Sequence, residues 1–183
     1  MTPITLDPAV LDLARRAGEH LTRRDDGATL RFSADLETVH EVTHSDGAYH
    51  VRVISRGDRQ DPIVSSTEVT QIEKYLTYVF GRTVRTDLGL PQLSTLGEEL
   101  PEGITLEERP GFRYHLRWND GGATHEVVFS QRTVARIFAG YARAGRSEIE
   151  ASLLAPDGRP VFSVRSDDDG DSRTPWYRRG WAT

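Results

Sequence analysis

Two segments, TVHEVTH and AYHVRVI, flank a turn at Asp46-Gly47. Asp-Gly favours a two-residue type I′ loop, because both central residues of that turn take positive φ. With that loop, His44 faces Tyr49, Val42 faces Val51 and His40 faces Val53, on a largely apolar face. The opposite face pairs Glu41 with Arg52, a pair suited to water. A one-residue slip would exchange the two faces, so this alternation commits the chain to an antiparallel sheet with one buried side.

Similar signals recur along the chain. A turn at 25–27, DDG, leads into a strand at ATLRFSA (28–34), and DPIVS (61–65) is a further short strand. A second hairpin, FRYHLRW and ATHEVVF, surrounds NDGG. A loop centred on Asp120-Gly121 places Phe112, Tyr114, Leu116, Trp118, Val127 and Phe129 on one face and sets His115 against Glu126. The segments EIEASLL and RPVFSV form a final hairpin about Pro156-Asp157-Gly158.

Helices cover the apolar side. Asp7-Pro8 is an N-cap and first-turn pair, and Val10, Leu13, Ala14, Ala17 and Leu21 extend a helix over 8–21. Ser65 and Glu68 have capping-box spacing. They open a helix over 66–81 with Val69, Ile72, Leu76, Val79 and Phe80 as its apolar stripe and Gly81 as its stop. A third helix runs over 131–143, where Ser130, Val134 and Ile137 repeat the spacing of Ser65, Val69 and Ile72. The expected fold is therefore α+β: antiparallel hairpins in one or two sheets with about three helices packed on them. One domain spans 1–165, with two halves that hint at a pseudo-repeat joined by the glycine- and proline-rich stretch 87–103. Residues 166–183 lack periodicity and read as a flexible tail.

Composition narrows the function. The 183 residues contain no cysteine, which excludes disulfides, zinc-thiolate centres and thiol nucleophiles. The formal net charge of −5 disfavours nonspecific nucleic-acid binding. The N-terminus has no basic start followed by an apolar run, and no segment is apolar for long enough to span a bilayer, so a cytoplasmic protein without membrane contact is expected.

The polar residues assemble no recognisable active site. His40 and His44 share a strand face but stand ~13 Å apart, too far to share a metal. The run DDDGD (167–171) fails as a calcium loop: with Gly170 at the sixth position, Arg165 falls at the first and Trp176 at the twelfth. No nucleophile elbow, P-loop or dinucleotide fingerprint is present. The tail WYRRGW mixes arginine with aromatics but follows several aspartates that would repel phosphate. No catalytic residue, metal ligand or cofactor is assigned.

Three stretches in order, LDPAVLDLARRAGEHLTRRDDG, IEKYLTYVFGRTVRTDLGLPQL and EASLLAPDGRPVFSV, carry a resemblance. They resemble the immunity protein 61 family, the actinobacterial immunity proteins that neutralise the tuberculosis necrotizing toxin. The resemblance covers roughly residues 6–165; Ser94 to about Gly145 departs most from it. It implies a cytoplasmic antitoxin of a polymorphic toxin system, a monomer that occludes the active site of an NAD+ glycohydrolase toxin by forming a heterodimer with it. Such a protein needs no reacting groups, only a rigid surface with a few anchoring side chains. Loops on the scaffold supply the candidate toxin contacts: Arg82, Arg85 and Asp87 at the helix exit, and Trp118, Asn119, Asp120 and Gly121 at the second hairpin. The competing class is a non-enzymatic secretion chaperone or regulatory adaptor, followed by a small hydrolase with an unrecognised site.

Overall fold

The computed structural model describes residues 3–24, 27–34, 37–59, 61–94 and 99–165. The first hairpin forms in the expected register: β3 (Thr38–Ser45) and β4 (Ala48–Ser55) pair His44 with Tyr49, Val42 with Val51 and His40 with Val53. Asp46 and Gly47 have φ of 54° and 75°, as a type I′ turn requires. On the outer side β3 pairs with β2 (Thr29–Ser33), which pairs with the edge strand β1 (His20–Arg23). On the inner side β4 pairs with β6 (Val64–Ser66) and, near its end, with the short β5 (Asp58–Arg59).

A single sheet results because β6 also pairs with β10 (Ala123–Phe129), which continues through β9 (Arg113–Asp120) to β8 (Ile104–Arg109). The order across the sheet is β1-β2-β3-β4-β6-β10-β9-β8. The sequence β3-β4-β6 followed by a helix is mirrored as β8-β9-β10 followed by a helix, with β6 and β10 meeting at the centre. A separate two-stranded sheet joins β7 (Leu93–Ser94) to β11 (Ser163–Val164).

Among the described residues, four helices lie on one face: α1 (Pro8–Arg16), α2 (Val69–Asp87), α3 (Arg132–Ala139) and α4 (Arg146–Leu154). Helix α2 is central, touching α1, α4, β4 and β6, while α3 packs on β9 and β10. Leu30, Phe32, Val42, Val51, Val64, Leu116, Val127 and Phe129 point from the sheet toward Val10, Leu13, Ile72, Leu76, Phe80, Phe138, Ile149 and Leu153 of the helices; each is at most 1% exposed.

Several expectations from the sequence change. The helix expected over 8–21 ends at Arg16, because Gly18 takes φ 78° and closes a Schellman turn with Gly18 N–H bonded to Arg15 O and Glu19 N–H to Ala14 O. Leu21 therefore lies on exposed β1, 40% exposed. The helix expected over 66–81 starts at Val69 without the Ser65–Glu68 capping box, since the Glu68 carboxylate turns to Gln71 and His125. It also runs on through Gly81. Its stop is Gly89 at φ 66°, where Gly89 N–H bonds Thr86 O and Leu90 N–H bonds Arg85 O. Gly81 serves a different purpose: a Cβ there would lie 2.6 Å from Leu153 Cδ1, so its missing side chain lets α4 approach α2 closely.

The second hairpin turns at Gly121-Gly122, with φ of 55° and 87°, one position beyond the expected loop. His115 consequently opposes Val128, and Glu126 opposes Arg117 while reaching diagonally to His115. Phe112 leaves the apolar face; it has φ 54° in the β8–β9 turn and is 74% exposed. The third helix stops at Ala139 rather than 143. EIEASLL is helical, not a hairpin strand: Ile149, Ser152 and Leu153 are buried at helical spacing, and Glu148 accepts from Gly145 N–H. Its alternation of apolar residues fitted either period. Glu41 is not solvated either, its side chain being only 2% exposed beneath the guanidinium of Arg31. The turn at 25–27 lies partly, and the tail with DDDGD and WYRRGW wholly, outside the described residues.

His40 is half-buried, its ring set edge-on to Phe80 with centroids 5.9 Å apart and its Nδ1 4.0 Å from Glu19 Oε1. Desolvation pushes its pKa down from 6.5 to about 4. The neutral ring is thus the form the fold accepts. As pH falls through 6.5 the unfolded chain takes up a proton that the folded chain refuses until about 4, so stability is lost across that window. This group accounts for about 3 kcal/mol of acid destabilisation. Urea titrations of the wild type and His40→Leu between pH 7 and about 4 should show a smaller acid loss in the variant. At neutral pH, Gly81→Ala should lower stability by about 1–3 kcal/mol through overpacking, although alanine gains about 1 kcal/mol at an unhindered helical position.

Candidate functional site

The residues singled out from the sequence separate into buried supports and exposed rims. Arg85, 3% exposed, sits inside the turn after α2. Its Nε donates to Pro91 O at 2.6 Å, its Nη1 to Leu153 O and Ala155 O at 2.7 and 2.6 Å, and its Nη2 to Pro156 O at 2.9 Å. One guanidinium therefore ties the exit of α2 to the exit of α4, by satisfying carbonyls that a helix end leaves without partners. Trp118 is 3% exposed and stacks on His125 at 5.3 Å with Phe138 at 6.2 Å. Neither side chain faces outward.

Arg82 is half-buried on α2, its Cζ 5.6 Å over the Tyr78 ring and its Nη1 3.3 Å from the Tyr78 hydroxyl. It borders a shallow cleft between α2 and α3 formed with Tyr75, Val79, Val134, Ile137 and Tyr141. Burial pushes the Tyr75 and Tyr141 hydroxyls well above the usual phenol range. Asp87 is exposed at the last residue of α2. Asn119, Asp120 and Gly121 are exposed at the hairpin tip, where Thr124 Oγ1 donates to Asn119 Oδ1 at 2.8 Å. The field of Asp120 reaches Lys74, which places the tip along the first half of α2. Arg82 lies ~12 Å further along the helix than Lys74, so the two groups form separate patches.

Of two histidine–carboxylate contacts, the sequence reading missed the first and paired the second through a different register. His125 Nδ1 is 2.9 Å from Glu68 Oε2, and His115 bonds Glu126, whose other partner Arg117 donates at 3.0 Å. The hydrogen bond from His115, then that from Arg117, hold the Glu126 carboxyl below its ordinary range. The first joins β10 to the start of α2, far apart in sequence, and the Gly121-Gly122 turn makes the second diagonal rather than directly opposed. On the same face as His115, Ser65 Oγ lies 2.8 Å from His50 Nδ1; desolvation lowers the His50 pKa. Among the described residues no cluster of three or more His, Asp or Glu side chains is arranged to hold a metal ion, and no helix is long and apolar enough to cross a membrane.

The family model described as immunity protein 61 matches residues 13–161. This chain belongs to that family. Membership gives it an immunity role, with a cognate toxin as partner. Among solved structures, Rv3902c from M. tuberculosis superposes with a TM-score of 0.75 at 20% identity, over 90% of this chain and 98% of that one. At that identity the likeness establishes the shared α+β fold. No curated protein matches the sequence. The family match runs from within α1 to the turn after α4, so it takes in the elements that Arg85 ties together.

Arg85→Ala should cost about 3 kcal/mol or more, because buried carbonyls at two helix exits lose their donor. Arg85→Lys should fall between, since one ammonium cannot span the carbonyls a guanidinium reaches. Chemical denaturation of both variants tests the order.

Proposed function

We propose that this immunity protein binds a cognate toxin in the cytoplasm of the cell that makes it and occludes the toxin's active site, the toxin being an NAD+ glycohydrolase. The observation that carries the reading is the family match over residues 13–161. The fold supports it. Inhibition by occlusion asks for a rigid body that presents a pre-ordered surface, because every side chain ordered on binding subtracts from affinity. A long central helix, locked to α4 at Gly81 and at Arg85, supplies that rigidity. Nothing in the reading requires turnover by the immunity protein itself.

The exposed residues of the sequence-derived set, Arg82 and Asp87 on the helical layer and Asn119, Asp120 and Gly121 at the hairpin tip, stand as proposed toxin contacts. Arg85 and Trp118 act behind them by fixing the helix exit and the base of the hairpin.

Titration of the purified protein into an NAD+ hydrolysis assay of the toxin domain encoded beside its gene tests the proposal. Activity should fall in proportion to added protein and vanish at stoichiometric amounts. Tight binding with undiminished hydrolysis would instead make the protein a chaperone or adaptor.

A further inference from the structure

The turn between β8 and β9 carries a side chain that the turn itself does not favour. Pro110, Gly111 and Phe112 join the two strands, with Arg109 opposite Arg113. Proline presets φ for the second position of a turn, and Gly111 at φ 80° suits the third position of type II. Phe112 then takes φ 54°. The left-handed position of a three-residue hairpin loop ordinarily belongs to glycine, and a bulky side chain there is an outlier. Among the described residues the other non-glycines at positive φ are Asp46 and Arg56, each preceding a glycine in a two-residue turn. Phe112 follows its glycine instead, where a second glycine would relieve the backbone.

The core gives the ring nothing in return. Phe112 is the most exposed large apolar side chain among the described residues, at 74% against 58% for Leu88. An aromatic ring in water on a disfavoured backbone costs the fold twice. Sparsely populated backbone conformations cluster where a binding or catalytic role holds them in place.

Shape and chemistry indicate what the ring meets. The tip is convex, and Pro110, Gly111 and Phe112 are exposed and uncharged. Behind it Arg109 donates to Glu107 at 3.2 Å and Arg113 to Asp61 at 3.4 Å, so the stem arginines already have carboxylate partners. An uncharged projecting ring fits an apolar concavity, and clefts that bind small molecules are of that kind. Occlusion of an active site asks for a group that enters such a cleft. Phenylalanine is enriched in interfaces and brings a large contact area with few rotatable bonds. Pro110 leaves the turn little freedom to lose on binding.

We infer that Phe112 is the anchor by which this protein plugs its toxin, the ring seated in an apolar cleft at or beside the toxin's active site; the inference rests on the immunity reading. Phe112 and Asp120 stand at opposite ends of β9, ~26 Å apart along the strand. A patch of standard size, about 800 Å², is roughly 30 Å across, so one interface reaches both.

The test measures the affinity of the full chain for the neighbouring toxin domain by calorimetry, with NAD+ hydrolysis followed in parallel and Tm recorded for every variant. Phe112→Gly and Phe112→Asn both remove the ring and install residues that tolerate the left-handed region. Leu21→Ala is the control, an exposed apolar side chain on β1 at the far edge of the sheet. Both Phe112 variants should keep the wild-type Tm or exceed it, yet raise Kd roughly a hundredfold and weaken inhibition in step. Leu21→Ala should bind as the wild type does. A Kd raised less than about tenfold in Phe112→Asn, or raised as much in Leu21→Ala, would overturn the anchor while leaving the immunity reading standing. So would a Tm lowered by more than about 5 °C in Phe112→Asn, because the ring would then be packing on its own chain. Self-association of the wild type that Phe112→Asn abolishes would assign the ring to a second copy and overturn the inference. A wild-type chain that neither binds nor inhibits the toxin would overturn the immunity reading and the anchor with it.

Discussion

The structure depends on a short pairing at its centre. Two residue pairs, Val128 with Ser65 and Phe129 with Val64, join the N-terminal strands to the C-terminal ones. Val64 and Phe129 are fully buried, so the same residues that make the backbone ladder also supply the middle of the core. The bond from Ser130 N–H to Ile63 O, at 3.2 Å, continues the join beyond the ladder. Without this seam the chain would have two small sheets, each with a newly exposed edge. With it, helices that follow β6 and β10 lie on one common face, and the opposite face becomes a single continuous surface.

Rigidity on the helical side comes from two complementary devices at α2. Gly81 removes a side chain so that Leu153 can fill the space, and Arg85 adds one so that four carbonyls are satisfied. The first works through packing and the second through polar pairing, and both act between α2 and α4. A third link lies at the N-terminal end of the layer. There Arg146 bridges Asp7 at 3.0 Å and Glu150 at 2.8 Å, and Asp7 N–H donates to Glu73. These links fasten α1 and α4 along the length of α2, which is the kind of stiffness an occluding inhibitor uses.

The sequence was most legible where local chemistry decided the outcome. Asp46-Gly47 fixed the first hairpin residue by residue, since turn type and alternation agreed. Asp7 capped α1 as anticipated, accepting from Ala9 N–H at 2.8 Å. Reading failed where a local signal had two meanings. Gly81 reads as a helix stop, and only the neighbouring α4 reveals it as a contact; EIEASLL reads as strand or helix with equal ease. Gly121-Gly122 outcompeted Asp120-Gly121 for the turn, which moved the partners of His115 and Glu126. The candidate contact residues were legible as loop or helix-end positions, yet Arg85 and Trp118 proved internal because their partners, the carbonyls after α4 and the ring of Phe138, come from distant sequence. The polar face of the sheet was visible in outline as the polar half of each alternation. Its extent was not, because β8 was overlooked and the pairing of β6 with β10 is non-local.

An eight-strand path that does not close into a barrel has two edges, and here each is blunted differently. The edge strand β1 is only four residues long, and β8 carries Glu107, Glu108 and Arg109. Short or charged edges resist pairing with another chain. An inhibitor must be held in reserve until its target arrives, at whatever concentration gives protection. Edges that refuse self-addition allow that reserve to accumulate as separate molecules.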